Sequence, residues 1–273
     1  MDFAMKMFNK QVLKSAKEMV RDEVTGRLRA KDQLEEVMHE IEVMKKINND
    51  FLVRLHEVIN TEDSVNLAMI IDFCGRGQVM DWDEKTMKFT PCFNVNGDYF
   101  KEVQIQRIMR EVVCGLDYLH KNLICHRDIK PQNVLVTIDG ISKLADFGSA
   151  KEIKADDDTL RGSVGTYHFF APELCDPEVK EYSGTKVDIW ALGITMYALI
   201  FNKLPFNAES PIELLDTILQ TEIGFGDRNL SKGLHDIIHG MLERDPKQRW
   251  DMQKIKSCEW INAGYTVRLD SDE

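Results

Sequence analysis

The chain has 273 residues, of which 43% are apolar and 30% charged, a balance typical of a folded globular protein rather than a disordered or collagen-like chain. Its 35 basic and 46 acidic residues give a formal net charge of −11, which argues against a protein that binds nucleic acid through a basic face. The longest apolar run, residues 189–201, is shorter than the roughly 20 residues that cross a bilayer. We therefore expect a buried helix there and no membrane partner.

The cysteine spacing and the first residues of the chain indicate the cellular compartment to expect. The six cysteines are scattered and form no C-x-x-C pair, which disfavours both a zinc site and a disulfide framework. No charged-then-apolar leader opens the sequence, so secretion is not expected. These features favour a reducing compartment, and a cytoplasmic location is the expectation.

The first part of the chain is predicted to mix strands with one clear helix. Apolar residues recur at three- and four-residue intervals from Leu34 to Met44, as on one face of a helix. Residues 10–32 are ambiguous, apart from a turn suggested by Asp22, Thr25 and Gly26. Strands are predicted over residues 3–8, 51–59 and 65–73.

The rest of the chain is predicted to be mostly helical, after a loop over residues 83–100. A hairpin is expected around Asp139-Gly140, between residues 133–138 and 141–145. The acidic tail, residues 269–273, is expected to be frayed. Helices are predicted over residues 103–120, 186–202, 211–220, 231–243 and 251–262.

Four short strings occur in one order with compatible gaps, and together they are far more specific than any one alone. The strings are Phe3-Ala4-Met5-Lys6, His126-Arg127-Asp128-Ile129-Lys130-Pro131-Gln132-Asn133, Asp146-Phe147-Gly148 and Ala171-Pro172-Glu173. Glu40 lies in the predicted helix between the first two. In this arrangement the chain resembles the catalytic domain of eukaryotic Ser/Thr protein kinases.

The resemblance implies a reaction, ATP-dependent phosphorylation of Ser/Thr hydroxyls on proteins, and a role for each residue. Asp128 would accept or orient the proton of the substrate hydroxyl, and Lys130 would lie beside the transferred phosphoryl group. Lys6, held by Glu40, would bind the nucleotide phosphates. Mg²⁺ would be held by Asn133 and Asp146, whose oxygens are the hard ligands it prefers.

A closer resemblance is to the calcium/calmodulin-dependent protein kinase kinases, carried by Gln78-Val79-Met80-Asp81, Leu204-Pro205-Phe206 and Trp260-Ile261. It implies protein substrates that include other kinases in intracellular signalling. It also implies an α+β, bilobal fold: a partial N-lobe over residues 1–74, a C-lobe over 75–262 and an acidic tail over 263–273. Calmodulin is not expected as a partner, since no segment for it follows residue 262.

The resemblance further implies how the nucleotide pocket and the core are assembled. Ile71 would be the gatekeeper, Asp72 to Cys74 the hinge that bonds adenine through its backbone, and Ala4 and Leu135 the apolar walls around the ring. The regulatory spine would comprise Met44, Leu55, His126 and Phe147, with Asp188 at its base. Glu173 and Arg249 would form a buried ion pair.

One departure from the family pattern is the glycine-rich loop that covers the ATP phosphates. Among the 16 glycines, only Gly75/Gly77 and Gly224/Gly226 form G-x-G, and neither pair has the third glycine. The alternatives are an N-terminally incomplete kinase and a catalytically impaired, pseudokinase-like scaffold that acts as an interaction module.

Regulation is expected in the segment between Asp146 and Glu173. Arg127 is a bidentate donor able to clamp a phosphate, and Thr159 and Ser163 are the candidate acceptors. Thr166 is expected to contact Asp128 and Lys130 instead. We favour a different reading of the acidic run 156–158, in which it imitates a phosphate and engages Arg127.

Overall fold

The computed structural model of the protein describes residues 2–21, 28–93, 99–226 and 228–271. The first part contains β1 (Phe3–Asn9), α1 (Lys10–Ser15), β2 (Lys17–Arg21), β3 (Leu28–Asp32), α2 (Gln33–Lys46), β4 (Leu55–Ile59), β5 (Asn66–Asp72), β6 (Gly77–Gln78), β7 (Met80–Asp83) and β8 (Lys88–Pro91). The second part contains α3 (Glu102–Lys121), β9 (Ile124–Cys125), β10 (Val134–Val136), β11 (Ser142–Leu144), β12 (Lys151–Glu152), β13 (Thr159–Leu160), α4 (Pro172–Cys175), β14 (Tyr182–Ser183), α5 (Gly184–Phe201), α6 (Pro211–Gln220), α7 (Lys232–Met241), α8 (Met252–Ser257) and α9 (Glu259–Asn262), with short 3₁₀ helices at Pro131–Asn133 and Tyr167–Phe169.

An antiparallel sheet of order β1-β5-β4 lies beside helix α2. Its register places Ala4 opposite Ile71 and Lys6 opposite Met69. The predicted helix and strands are confirmed, but β4 begins at Leu55 because the residues before it bond elsewhere. There, Phe51 and Val53 exchange backbone hydrogen bonds of 2.8 and 2.9 Å with Leu144. This bond pair links the sheet to the hairpin that precedes Asp146.

The ambiguous stretch after β1 forms a short helix and two strands. Asn9 caps α1 by accepting hydrogen bonds from the amides of Gln11 and Val12. Strands β2 and β3 then pair antiparallel, with Lys17 opposite Asp32. The predicted turn at Asp22, Thr25 and Gly26 lies outside the described residues.

The prediction of a loop over residues 83–100 is wrong for its first half, because β7 and β8 form an antiparallel hairpin there. Phe89 is buried and packs against Trp82, with ring centroids 4.7 Å apart. The Asp83 carboxylate closes the turn by accepting from the amide of Lys85 and the hydroxyl of Thr86, each at 2.9 Å. Charged turn residues hide the alternation of apolar side chains, so the pattern is missed in the sequence.

Helix α5 is the centre of the larger part and confirms the buried helix predicted from the apolar run. Among the described residues it is long and apolar enough, by composition, to cross a bilayer, but 83% of it is buried inside the fold, as in the core helix of a globular protein. Helices α3 and α7 pack against it. The same helix carries Asp188, which has no exposed surface.

The end of the chain differs from the prediction in two ways. The helix expected over residues 251–262 is split into α8 and α9 at Cys258. The residues just before the predicted tail are docked, since Arg110 donates to the carbonyl of Val267 at 2.6 Å and stacks on Tyr265. The amide of Leu269 also donates to the Asn262 side chain at 2.8 Å. These hydrogen bonds attach Val267 to α3 and the first tail residue, Leu269, to α9, which composition alone does not reveal, while fraying after Leu269 stays a prediction.

Candidate active site

The string from His126 to Asn133, which we call the catalytic loop, lies between β9 and β10, and Asp188 of helix α5 holds its first residues. This carboxylate accepts hydrogen bonds from the backbone amides of His126 at 2.8 Å and Arg127 at 2.7 Å. Arg127 has φ of +64°, a left-handed conformation that costs free energy for a residue with a side chain. The two hydrogen bonds to this buried carboxylate offset that cost, so helix α5 fixes the backbone that carries Asp128.

One further cluster combines residue types that bind metals: ligand atoms of His120, Cys125 and Asp188 lie within 4.8 Å of one another. Asp188 already accepts from His120 at 2.9 Å as well as from the two amides. Burial raises the pKa of the Cys125 thiol far above its ordinary value. The hydrogen bonds of Asp188 give this cluster a structural role at the base of the catalytic loop.

The Asp128 carboxylate lies at the centre of a hydrogen-bonded group. It accepts from Lys130 Nζ at 2.7 Å, from the Thr166 hydroxyl at 2.8 Å and from the Asn133 amide at 3.1 Å. Burial by itself raises the pKa of Asp128, but the hydrogen bonds and the Lys130 charge outweigh burial and hold the pKa below its ordinary value. The carboxylate is therefore charged at neutral pH and suited to orient a hydroxyl. Lys130 Nζ also donates to the Thr166 hydroxyl at 2.9 Å, so both predicted contacts of Thr166 are confirmed.

Gly165 allows the activation segment, residues 146–173, to approach the catalytic loop this closely. Its φ is +113°, and a Cβ built on it would lie 2.4 Å from the carbonyl oxygen of Arg127. No side chain fits in that space. This contact places the neighbouring Thr166 within hydrogen-bond distance of Asp128.

The predicted ion pair between Lys6 and Glu40 is confirmed. Lys6 Nζ lies 2.9 and 3.0 Å from the two carboxylate oxygens. Glu40 is on the buried face of α2, whereas the Lys6 side chain keeps 41% of its surface exposed. The ammonium is thus fixed by one partner and still open to an anionic ligand.

The Asp146-Phe147-Gly148 string positions an exposed carboxylate and a buried ring. Asp146 has φ of +66°, while Phe147 is fully buried against the His126 ring, with centroids 5.4 Å apart. Helix α2 is tied to the residues that follow, since the His39 ring donates to the carbonyl of Ala150 at 2.7 Å. Sequence reasoning missed this bond, because its two residues lie far apart in the chain and nothing in either motif marks it.

Because His126 is buried, the stability of the fold depends on whether its ring is protonated. Nε2 donates to the carbonyl of Ala145 and Nδ1 accepts from the amide of Asp128, so the neutral ring uses both nitrogens. Burial lowers the pKa of His126 below its ordinary value of 6.5. Below about pH 6.5 the unfolded chain therefore binds a proton that the folded chain does not. The free energy of unfolding consequently decreases as the pH is lowered.

We expect the free energy of unfolding, from urea titrations between pH 7.5 and 5, to decline by up to about 1.4 kcal/mol per pH unit from this residue. His126→Phe should reduce the decline. It should not abolish it, since burial also lowers the pKa values of His168 and His239. An unchanged pH dependence in the variant would contradict the assignment.

The expected hinge residues lie at the end of β5. The Asp72 side chain faces away from the solvent and pairs with Lys143 at 3.0 Å and His56 at 2.7 Å. Burial raises the pKa of Asp72, but these two partners outweigh it and lower the pKa below its ordinary value. Burial raises the pKa of the Cys74 thiol to about 11, so a reactive thiolate is not expected. Sequence reasoning missed the buried ion pair with Lys143.

The structure places the residues expected around the adenine pocket on two sheets. Ala4 lies opposite Ile71 across the β1–β5 pair. Leu135 in β10 is paired with Gln78 in β6, directly after the hinge. The roles of these residues in adenine binding stay predictions.

The predicted buried ion pair at the end of the activation segment is confirmed. Arg249 donates from its two terminal nitrogens to the two Glu173 oxygens at 2.7 and 2.9 Å. The Arg249 side chain has no exposed surface and that of Glu173 has 7%.

The prediction that the acidic run engages Arg127 is wrong. Arg127 Nε donates to the carbonyl of Ser149 at 2.8 Å. Asp158 is instead bonded to Ser183 and Thr185 at the start of α5. The three aspartates have equal charge, and only the path of the segment decides which donors each can reach. Thr159 and Ser163 are both exposed, and their predicted regulatory role stays a prediction.

Comparison with known proteins agrees with this geometry. The protein kinase domain family matches residues 2–261, and the chain belongs to it. The chain is 35% identical over 243 residues to the serine/threonine-protein kinase TOS3 of Saccharomyces cerevisiae, covering 81% of this chain and 43% of that protein.

Two further relatives show the same level of identity. A probable serine/threonine-protein kinase of Dictyostelium discoideum is 35% identical over 266 residues, covering 97% of this chain and 35% of its own length. A calcium/calmodulin-dependent protein kinase kinase of Caenorhabditis elegans is 35% identical over 246 residues, covering 89% of this chain and 43% of its own length. The chain thus spans less than half the length of these relatives.

Proposed function

We propose that the protein transfers the terminal phosphoryl group of ATP to serine and threonine hydroxyls of protein substrates. The observation that carries the proposal is the group around Asp128, in which one buried carboxylate accepts from Lys130 and from Thr166 of the activation segment. Phosphoryl transfer needs positioning and charge neutralisation more than covalent participation by the protein. This group supplies both.

The negative and positive side chains of the site have different roles in the proposed reaction. The lowered pKa of Asp128 keeps its carboxylate ionised, so it accepts the hydrogen bond of an incoming hydroxyl and orients its oxygen. Lys130 places an ammonium where negative charge builds up during transfer. Lys6, fixed by Glu40, adds a second positive charge for the nucleotide phosphates.

The donor set of the site fits Mg²⁺, the metal that the kinase family uses with ATP. The Asn133 amide nitrogen donates to the carbonyl and carboxylate of Asp128, which leaves the amide oxygen as its ligand atom. Asp146 contributes an exposed carboxylate. Both are hard oxygen donors of the kind that Mg²⁺ prefers. When bound there, the ion would shield the charge of the phosphates.

The direct test is transfer of labelled phosphate from ATP to a mixture of protein substrates, followed by phosphoamino-acid analysis. We expect phosphoserine and phosphothreonine without phosphotyrosine. Phosphotyrosine as the product would overturn the proposal. Absence of any transfer, with nucleotide binding intact, would favour a non-catalytic scaffold instead.

Nucleotide binding gives a separate prediction. Asp146→Asn should weaken Mg²⁺-dependent ATP binding at least tenfold, because a cation ligand is lost. This loss of affinity corresponds to about 1.4 kcal/mol or more of binding free energy. Metal-free ATP binding should change little. Calorimetric titration with and without Mg²⁺ measures both constants. Asp139→Asn, at an exposed hairpin turn, is the matched control. Equal weakening with and without Mg²⁺ would remove Asp146 from the metal site.

We further propose that the substrates include other protein kinases, in cytoplasmic signalling. The support is the similarity to a relative that is named a protein kinase kinase. A panel of catalytically inactive kinases, compared with unrelated proteins of the same size and charge, tests this. Equal phosphate incorporation in both sets would contradict it.

A further inference from the structure

Asp158 is attached to the first turn of helix α5 by both its side chain and its backbone. The carboxylate accepts from the hydroxyls of Ser183 and Thr185 and from the amide of Thr185 at 3.3 Å. The backbone carbonyl of Asp158 accepts from the amide of Gly184 at 2.9 Å. A carboxylate at a helix N-terminus is also favoured by the helix dipole.

The residues after Asp158 continue the attachment. Strand β13 pairs with β14, so that Thr159 lies opposite Ser183 and Leu160 opposite Tyr182. The Tyr182 hydroxyl donates to the carbonyl of Gly162 at 2.6 Å. Residues 158, 159, 160 and 162 of the activation segment are therefore bonded to this strand or to the start of the helix.

Gly184 permits the close packing at this junction. A Cβ built on it would lie 2.6 Å from Leu160 Cδ1 and 2.7 Å from Cys125 Sγ. Both of those side chains are buried, so neither can move aside without opening the core. The absence of a side chain at position 184 thus lets the activation segment lie directly on the start of α5.

Helix α5 connects this attachment to the catalytic loop. Asp188, which holds the amides of His126 and Arg127, lies about one helical turn after Thr185. Both the catalytic loop and the activation segment are thereby hydrogen-bonded to the same buried helix. The segment then returns to Asp128 through the Thr166 hydroxyl.

Other charged side chains around the segment also form hydrogen bonds within the fold. Arg127 bonds the carbonyl of Ser149, and Arg161 Nε donates to Glu181 at 2.9 Å. Asp157 accepts from the amide of Thr159.

We propose that Asp158 is a positioning residue: it docks the activation segment on the start of α5 and so holds in place Thr166 and its neighbours, the platform on which we expect the substrate peptide to bind. The proposal rests on the proposed function only for the platform's role in binding peptide. The docking itself is a property of the fold.

The test uses the full chain after phosphatase treatment, with mass spectrometry to show that Thr159 and Ser163 are unmodified. Asp158→Asn preserves shape but removes the charge, and Asp156→Asn, at an exposed neighbour, removes the same charge as a control. Amide hydrogen exchange over residues 156–166 and at Gly184 reports docking. Initial rates with a serine peptide report KM for peptide and for ATP.

We expect Asp158→Asn to speed exchange at Gly184 and to raise the peptide KM about tenfold, the effect of losing charge-assisted hydrogen bonds, with the ATP KM unchanged. Asp156→Asn should match the wild type. Thr185→Val, which removes one donor to Asp158, should shift both readouts in the same direction by a smaller factor, and it serves if Asp158→Asn fails to fold. Asp158→Glu should restore part of the peptide affinity, which a purely structural defect would not.

Three results would overturn the proposal. Exchange and peptide KM of Asp158→Asn could equal those of the wild type, Asp156→Asn could have the same effect, or phosphatase treatment alone could abolish wild-type docking. If the wild type transfers no phosphate, the proposed function fails, while the exchange experiment still decides the docking.

Discussion

Asp128→Asn is expected to lower kcat by about 10²–10⁴-fold, the usual contribution of a positioned acid–base group. The substitution keeps the shape of the side chain but replaces an acceptor oxygen by an NH₂ group. Lys130 Nζ, 2.7 Å from the carboxylate in the native site, would then face a donor. The substrate hydroxyl would lose its acceptor, so the loss should be in kcat, with ATP affinity retained. Initial rates at saturating ATP measure the effect.

The control for this variant is Asp139→Asn, which removes the same charge at the exposed hairpin turn. It should retain wild-type kcat. The Asp128 variant should also keep its far-UV circular dichroism and its Mg²⁺-dependent ATP binding. A variant with more than a tenth of the wild-type kcat would contradict the role given to Asp128.

Glu173→Ala is expected to have the largest effect on stability. It would leave the Arg249 guanidinium, which has no exposed side-chain surface, without its carboxylate partner. Removing one partner of a buried ion pair costs about 3–5 kcal/mol, because a desolvated charge stays behind. Urea denaturation at pH 7 measures this loss as a lower midpoint at similar slope.

The matched comparison is Glu181→Ala, which breaks the pair with Arg161. Both side chains of that pair are largely exposed, at 49% and 70%. The expected loss is below about 1 kcal/mol, since solvent screens exposed pairs. Similar losses in the two variants would show that burial of Arg249 does not control the energetics. Because Glu173 ends the activation segment, its variant should also lower peptide phosphorylation.

Several features were predictable because they depend on local sequence. The period of apolar residues from Leu34 to Met44 gives helix α2, and the Asp139-Gly140 turn has the φ of +86° at glycine that such a hairpin needs. The ordered strings also predicted the pairs Lys6–Glu40 and Glu173–Arg249, since each string fixes the residue types that the resemblance brings together.

The tertiary structure alone decided which donor each charged group meets. Asp158 has the same side chain and charge as its neighbours, yet it is the one that reaches the start of α5, because β13 pairs with β14. The same holds for Asp72 with Lys143 and for Arg110 with the tail, whose partners lie 71 and more than 150 residues away. Local periodicity carries no information about such contacts. They form only when buried helices and strands bring distant segments within hydrogen-bond distance, where desolvation makes an unpaired polar group costly.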